Sequence, residues 1–182
     1  MNKFYLLCYL SKGLNITAAE VLTAIFIPYN RIVYYTQCLL EVRRASYKIL
    51  GVPDDFRTPE LWFEAVKRNG FMLAYVDPDL RTPELCLAAV EENGYALNYV
   101  PLDLITPELC LKAIKRDGRA LKHVPCYPLN LITLELCLAA VQQNGNALEY
   151  VPLELRTFTV CAAAFKQNRN ALQFISGFMK EL

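Results

Sequence analysis

Residues 82–104 read Thr82-Pro-Glu-Leu-Cys-Leu-Ala-Ala-Val-Glu-Glu-Asn-Gly-Tyr-Ala-Leu-Asn-Tyr-Val-Pro-Leu-Asp-Leu104, and the same string returns on both sides, with Thr58, Thr82 and Thr106 spaced 24 residues apart. Internal repetition of this period is the mark of a solenoid, whose units bury their apolar faces only against one another. Five units follow: 57–80, 81–104, 105–131, 132–155 and 156–182. The third carries three extra residues, about Pro125 to Tyr127, in its closing loop.

Each consensus position has a physical role. Thr58, Thr82, Thr106, Thr133 and Thr157 stand where a hydroxyl caps the first backbone N–H groups of a helix. Pro59, Pro83 and Pro107 follow at the first helical position, where a missing N–H costs nothing, and Glu60, Glu84, Glu108 and Glu135 sit in the first turn, where the helix dipole favours them. Asn69-Gly70, Asn93-Gly94, Asp117-Gly118 and Asn144-Gly145 read as helix ends, with the glycine expected in the left-handed conformation of a C-cap. A shorter helix, Tyr95 to Val100 in the second unit, is then stopped by Pro101.

On a wheel of 100° per residue, Leu85, Cys86, Leu87, Ala89 and Val90 cover a wide apolar arc, as a helix packed between two neighbours requires. On the short helix Ala96, Leu97, Tyr99 and Val100 are expected to point inward. The fold class expected is all-α: an α-solenoid of about five helix-turn-helix repeats behind a helical N-terminal cap. That cap, residues 1–56, reads as a diverged repeat plus an added helix. Thr17-Ala-Ala-Glu20 forms a capping box opening a helix that Pro28 ends, Asn30 opens a second from Arg31 to about Leu50 ended by Gly51, and Val52-Pro53-Asp54-Asp55-Phe56 imitates a closing loop. Unit five is also atypical, with Arg169 in place of the glycine and Phe178 and Met179 extending its end.

The string Thr82 to Val90, then Asn93-Gly94, then Ala96-Leu97-x-Tyr99-Val100-Pro101 resembles a bacterial tandem-repeat family catalogued as domain of unknown function 4116. The resemblance spans about Arg57 to Leu172 and implies tandem helical repeats and a bacterial or bacterium-associated origin. It implies no activity and no functional residues. Phe158 and Arg169 depart from its proline and glycine, and residues 1–56 lie outside it.

Composition narrows the function classes. Hydrophobic residues make up 54% of the chain and charged residues 20%, a balance that suits an ordered core. A formal net charge of +1 gives no general attraction to nucleic acid or an anionic membrane. The apolar runs Phe4 to Leu10 and Val21 to Ile27 fall short of the roughly 20 residues of a membrane span. No cleavable signal is read at the start, so the expected location is the cytoplasm, with delivery into a host cell without a cleaved signal as the alternative. Cys86, Cys110, Cys137 and Cys161 occupy one slot in successive units; helices pack about 9–10 Å apart, too far for disulfides, and no CxxC pair accompanies the single histidine, His123. They read as buried packing residues. No catalytic, metal-binding or cofactor constellation is found.

Function is therefore sought in the slots that vary. The outer ribbon of the long helices alternates in sign (Glu64, Lys67, Arg68; Glu91, Glu92; Lys112, Lys115, Arg116; Gln142, Gln143) and reads mostly as a solvated face, with Glu64–Arg68 and Glu108–Lys112 as pairs along one helix. On the short helices, slot fifteen holds Phe71, Tyr95, Arg119, Asn146 and Asn170, and slot eighteen holds Ala74, Asn98, Lys122, Glu149 and Gln173. Phe71, Tyr95, Asn98, Arg119, Lys122, Asn146, Glu149 and Asn170 are the candidate binding strip, expected on the inner, concave side. Its residue types are those of interaction hot spots, although Phe71 and Tyr95 leaning on neighbouring repeats is an equally physical reading. His123 falls in the aromatic slot of Tyr75, Tyr99, Tyr150 and Phe174 and reads as a half-buried ring, Trp62 as cover for the interface with the cap, and Cys126-Tyr127 as an exposed loop. The expected function is a non-enzymatic protein-protein interaction module with another protein as partner. A nucleic-acid-binding repeat, which Arg119, Lys122, Lys115 and Arg116 would serve, and an effector acting on a host protein are the alternatives.

Overall fold

The computed structural model describes residues 18–126 and 130–174, with side chains from residue 30 onward. The described residues form helices and loops, with no strand. Helix α1 (Ala18–Arg44) is followed by five helices of 10 residues each: α2 (Pro59–Arg68), α3 (Pro83–Glu92), α4 (Pro107–Arg116), α5 (Leu134–Gln143) and α6 (Phe158–Gln167). Between them lie 3₁₀ helices, Gly70–Tyr75, Gly94–Tyr99, Gly118–His123 and Gly145–Tyr150, with Arg169–Ala171 after α6. The expected second helix of each unit is thus a 3₁₀ helix, the form that short six-residue pieces favour.

The N-caps behave as the sequence requires. The hydroxyl oxygens of Thr58, Thr82, Thr106, Thr133 and Thr157 accept from backbone N–H groups three residues on, at 3.2 to 3.4 Å. The helix ends differ from expectation. No described glycine has a positive φ. Asn69, Asn93, Asp117, Asn144 and Asn168 are extended, and each side chain accepts from the N–H two residues later, which ends the α-helix and opens the 3₁₀ helix in one step. The glycine is required by crowding instead. A Cβ added to Gly70, Gly94, Gly118 or Gly145 would fall under 3.0 Å from the carbonyl oxygen of Ala89, Ala113, Ala140 or Ala164, on the long helix of the next unit.

Helices α2 to α5 each pack against both neighbouring long helices, against their own 3₁₀ helix and against that of the unit before, and α6 does so against α5 and the two 3₁₀ helices. One core cluster runs from Cys38 to Ala171. Leu73, Leu97, Leu121 and Leu148 line it from the 3₁₀ helices and Val66, Val90, Ile114 and Val141 from the long helices, each at most 1% exposed. Burial of one such side chain contributes about 1.5–3 kcal/mol. The inward arc is narrower than the wheel suggests: Leu87, Leu111 and Leu138 are only half-buried, as is Tyr99 on the short helix.

The N-terminal segment departs most from expectation. Helix α1 continues through Pro28 and Asn30 to Arg44, and Ser46–Gly51 is a separate 3₁₀ helix. An interior proline costs about 3 kcal/mol, yet the helix runs through it, and its far half is anchored in the core by Cys38 and Val42. Cys38 stands 24 residues before Trp62, in the cysteine slot, and Val42, Ile49 and Val52 fall in register behind it, all buried. The repeat therefore reaches back through the end of α1, the 3₁₀ helix Ser46–Gly51 and the closing turn Asp54–Phe56. Thr17 of the proposed capping box, the apolar run from Phe4, Tyr127 of the insertion, and Phe178 and Met179 lie outside the described residues.

Candidate binding surface

The repeat first fixes what holds neighbours together. Slot twelve, read from sequence as outer ribbon, is in fact a staple. The Glu92 carboxylate accepts from the Gly70 N–H at 2.5 Å, Gln143 from Gly118 at 2.6 Å and Gln167 from Gly145 at 2.5 Å. The two glutamines also donate backwards, to the carbonyls of Arg116 and Gln143, at 3.5 and 3.3 Å. Arg116 does only the second half, donating to the Glu92 carbonyl at 2.9 Å, because it has no acceptor to offer Gly94.

The arginine that opens three units is a second staple that the sequence reading passed over. Arg81 donates to the Val76 carbonyl at 3.0 Å and the Tyr99 carbonyl at 2.7 Å, and Arg156 donates to Val151 at 2.9 Å and Phe174 at 3.2 Å. Arg57 reaches Val52 and Leu50 in the same manner and pairs with Asp54 at 2.7 Å. A hollow of about 530 Å³ beside the buried Trp62 is lined by Arg57, Arg81, Asp54, Tyr75 and Asp77. Its arginines are turned to these backbone carbonyls.

The ion pairs of the ribbon run between helices. Arg43 grips Glu64 through two bonds of 3.1 and 3.2 Å, and Lys112 meets Glu91 at 2.7 Å. The expected pairs Glu64–Arg68 and Glu108–Lys112 are replaced by these, because a partner one repeat away lies closer to the charged head than one a turn along. The Arg43 guanidinium bonded to it holds the Glu64 carboxyl below its usual value.

The candidate strip occupies one face of the 3₁₀ helices. Residues three apart eclipse in this helix type, so slots fifteen and eighteen form one column per unit: Phe71 over Ala74, Tyr95 over Asn98, Arg119 over Lys122, Asn146 over Glu149. Phe71, Asn98, Arg119, Lys122, Glu149 and Asn170 are exposed, and Tyr95 and Asn146 are half-buried.

Neighbouring columns touch through slot nineteen of the following unit. Phe71 meets Tyr99 edge-on at 6.4 Å, and Tyr95 meets His123 at 5.7 Å. The side chains of Phe71 and Tyr95 thus do lean on the next repeat, while Phe71 keeps 41% of its surface exposed. In the third unit the rings give way to cations. Arg119 lies near the Tyr150 side chain, and near Tyr95 and Asp117, all of which favour its charge, and the Lys122 ammonium stands 5.9 Å from the centre of the Tyr150 ring. Asn146 accepts from Asn168 at 3.0 Å, which ties its column to the last unit. His123 is a half-buried ring whose pKa is lowered, first by burial and then by Lys122, so it is neutral at pH 7.

The cysteine column is buried: Cys38, Cys86, Cys110, Cys137 and Cys161 are free thiols in the core, and Cys126 is free and exposed. Burial pushes Cys86, Cys110 and Cys137 up to about 11, which leaves them protonated and unreactive. Among the described residues no three of His, Cys, Asp and Glu come together in a way that could hold a metal, and no helix is long and apolar enough to cross a membrane.

A family model described as Domain of unknown function (DUF4116) matches residues 58–105 and 133–180, more than half of the chain. No curated protein and no solved structure matches it.

Proposed function

Because the chain belongs to the Domain of unknown function (DUF4116) family, whose description carries no activity, we propose from its surface that it is a non-enzymatic protein-interaction module that binds another protein along the short-helix columns. One observation carries this reading. The buried slots of the 3₁₀ helices keep their character from unit to unit, with Leu73, Leu97, Leu121, Leu148 and Leu172 in one slot throughout, while slots fifteen and eighteen change among rings, cations, amides and an acid. A repeated frame that carries a variable face is how solenoids present a recognition surface. Buried, unpaired thiols suit a reducing compartment, and we place the protein in the cytoplasm.

The test is affinity capture from native lysate, read by mass spectrometry. It compares the wild type with a Tyr95→Ala, Arg119→Glu, Lys122→Glu variant whose helical circular dichroism matches it. A protein recovered by the wild type and lost by the variant is the expected result. Equal recovery by both would move the site off these columns.

A further inference from the structure

We propose that the short-helix columns bind an extended acidic peptide, with a carboxylate seated on Arg119 and Lys122 and an apolar side chain seated about six residues away against Phe71 and Tyr99. The inference rests on the interaction reading above and names the chemistry of the partner.

The carboxylate end follows from how the two cations are held. Arg43, Arg44, Arg57 and Lys112 each meet a carboxylate, whereas Arg119 and Lys122 form no ion pair among the described residues. They stand beside rings instead: Lys122 over Tyr150, and Arg119 near Tyr150 and Tyr95, with the Asp117 carboxylate acting on it from beyond ion-pair distance. Aromatic contacts orient a cation without cancelling its charge. The eclipsed geometry of the 3₁₀ helix Gly118–His123 sets both on one column. Two exposed neighbouring cations without an ion pair, one of them a guanidinium fork, match a carboxylate.

The apolar end lies two units away. Phe71 and Tyr99 present an edge-on ring pair, and among the strip residues Phe71 is the exposed aromatic. Two repeats at helix-packing spacing are about 18–20 Å, which an extended chain crosses in about six residues. The stretch between is faced by Tyr95 and Asn98, with an amide to meet a passing backbone. Glu149 in the fourth column repels a second acid and ends the basic stretch. This single acid and the net charge of +1 also suit one or two carboxylates better than a run of phosphates.

The experiment is selection from a random peptide library displayed on phage, panned on the full chain and counter-selected on Arg119→Glu/Lys122→Glu. Thermal melts followed by circular dichroism establish that this variant, Arg119→Gln/Lys122→Gln, Phe71→Ala and a distant Lys166→Glu control are folded. The expected clones carry Asp or Glu about six residues from Phe, Tyr, Trp or Leu. A synthetic peptide from them should bind about tenfold or more weakly to both double variants and to Phe71→Ala, unchanged to Lys166→Glu, and less tightly as salt rises. Enrichment of basic or uncharged sequences, equal affinity for the double variants, or no enrichment overturns the proposal. So does salt-dependent binding of mixed single-stranded RNA that the double variants lose, since it would hand the cations to phosphate. A protein captured through the columns while the library returns no acidic motif would sink this inference and leave the interaction reading standing.

Discussion

Replacing Gly94 separates two physical accounts of the Asn-Gly pair. The left-handed C-cap account, natural from sequence, makes alanine cost about 1 kcal/mol and lets asparagine, which tolerates positive φ, cost less. The structure gives a different ordering. Gly94 has no positive φ, so the backbone accepts any residue, and a less flexible unfolded chain would favour alanine by about 0.4–1 kcal/mol. Against that, the new Cβ lands on the Ala113 carbonyl, which is fixed in the middle of α4. Relief requires units two and three to part, and overpacking of this kind costs about 1–3 kcal/mol. The net expectation for Gly94→Ala is a loss of about 1–2 kcal/mol, or a melting temperature lower by about 2–8 °C for a chain of this size. Gly94→Asn should be at least as damaging, because its Cβ meets the same oxygen. Gly51 is the internal control: nothing lies within 4 Å of its Cβ, so Gly51→Ala should be neutral or stabilising. Urea denaturation followed at the helical circular dichroism band reads all three. Gly94→Asn milder than Gly94→Ala, or Gly94→Ala no worse than Gly51→Ala, would refute the close-approach account.

Arg116→Gln supplies the acceptor that Gly94 lacks and should raise stability by about 0.5–1.5 kcal/mol in the same denaturation assay, whereas Arg116→Ala should lower it. Native-state thiol labelling at pH 8, mapped by mass spectrometry, should modify Cys126 promptly and leave Cys86, Cys110 and Cys137, with pKa values about 11, unmodified until the chain unfolds. Glu64 carries a lowered pKa in the folded chain, so its contribution is fully present above its ordinary value of 4.5 and is lost as pH falls below it. Stability should therefore drop less steeply between neutral and acid pH in Glu64→Gln than in the wild type, and an equal slope would show that Arg43 does nothing for the fold.

What was legible in the sequence was what the chain settles within a few residues. Thr-Pro-Glu fixes a helix start because a hydroxyl, a ring and a carboxylate all act inside one turn, and every such start lies where it was expected. The Asn of each helix end was legible for the same reason. The role of its glycine was not, because the crowding atom, Ala113 for Gly94, is 19 residues away and belongs to another unit. Glu92 and Gln143 looked like solvated polar residues, since a helix wheel shows one helix and their partners Gly70 and Gly118 sit in the unit before; Gln167 repeats the pattern with Gly145. Pro28 misled in the opposite direction: the helix runs through a strong local breaker, and Cys38 and Val42 in its far half lie in the core. A usable signal existed there, because Cys38 continues the cysteine spacing past Trp62.

The same distinction bears on Arg169, which stands where the other units have glycine. Read as a cap residue it is a defect; read through the crowding that the structure shows, it stands in a slot on which no described long helix presses. Glycine is needed only where a following long helix presses its carbonyl against the slot, and no such helix follows α6 among the described residues. Val66, Val90, Ile114 and Val141 are fully buried in the slot where Phe165 is 42% exposed, and Leu73, Leu97, Leu121 and Leu148 are buried in the slot where Leu172 is 55% exposed. These two side chains mark the face on which each earlier unit receives its successor. A side chain in the glycine slot prevents a further unit from closing on that face at the spacing used between the others. Arg169→Gly should therefore gain nothing from relieved crowding and should lower stability slightly by enlarging the freedom of the unfolded chain. A clear gain in urea denaturation would return the glycine to the left-handed cap.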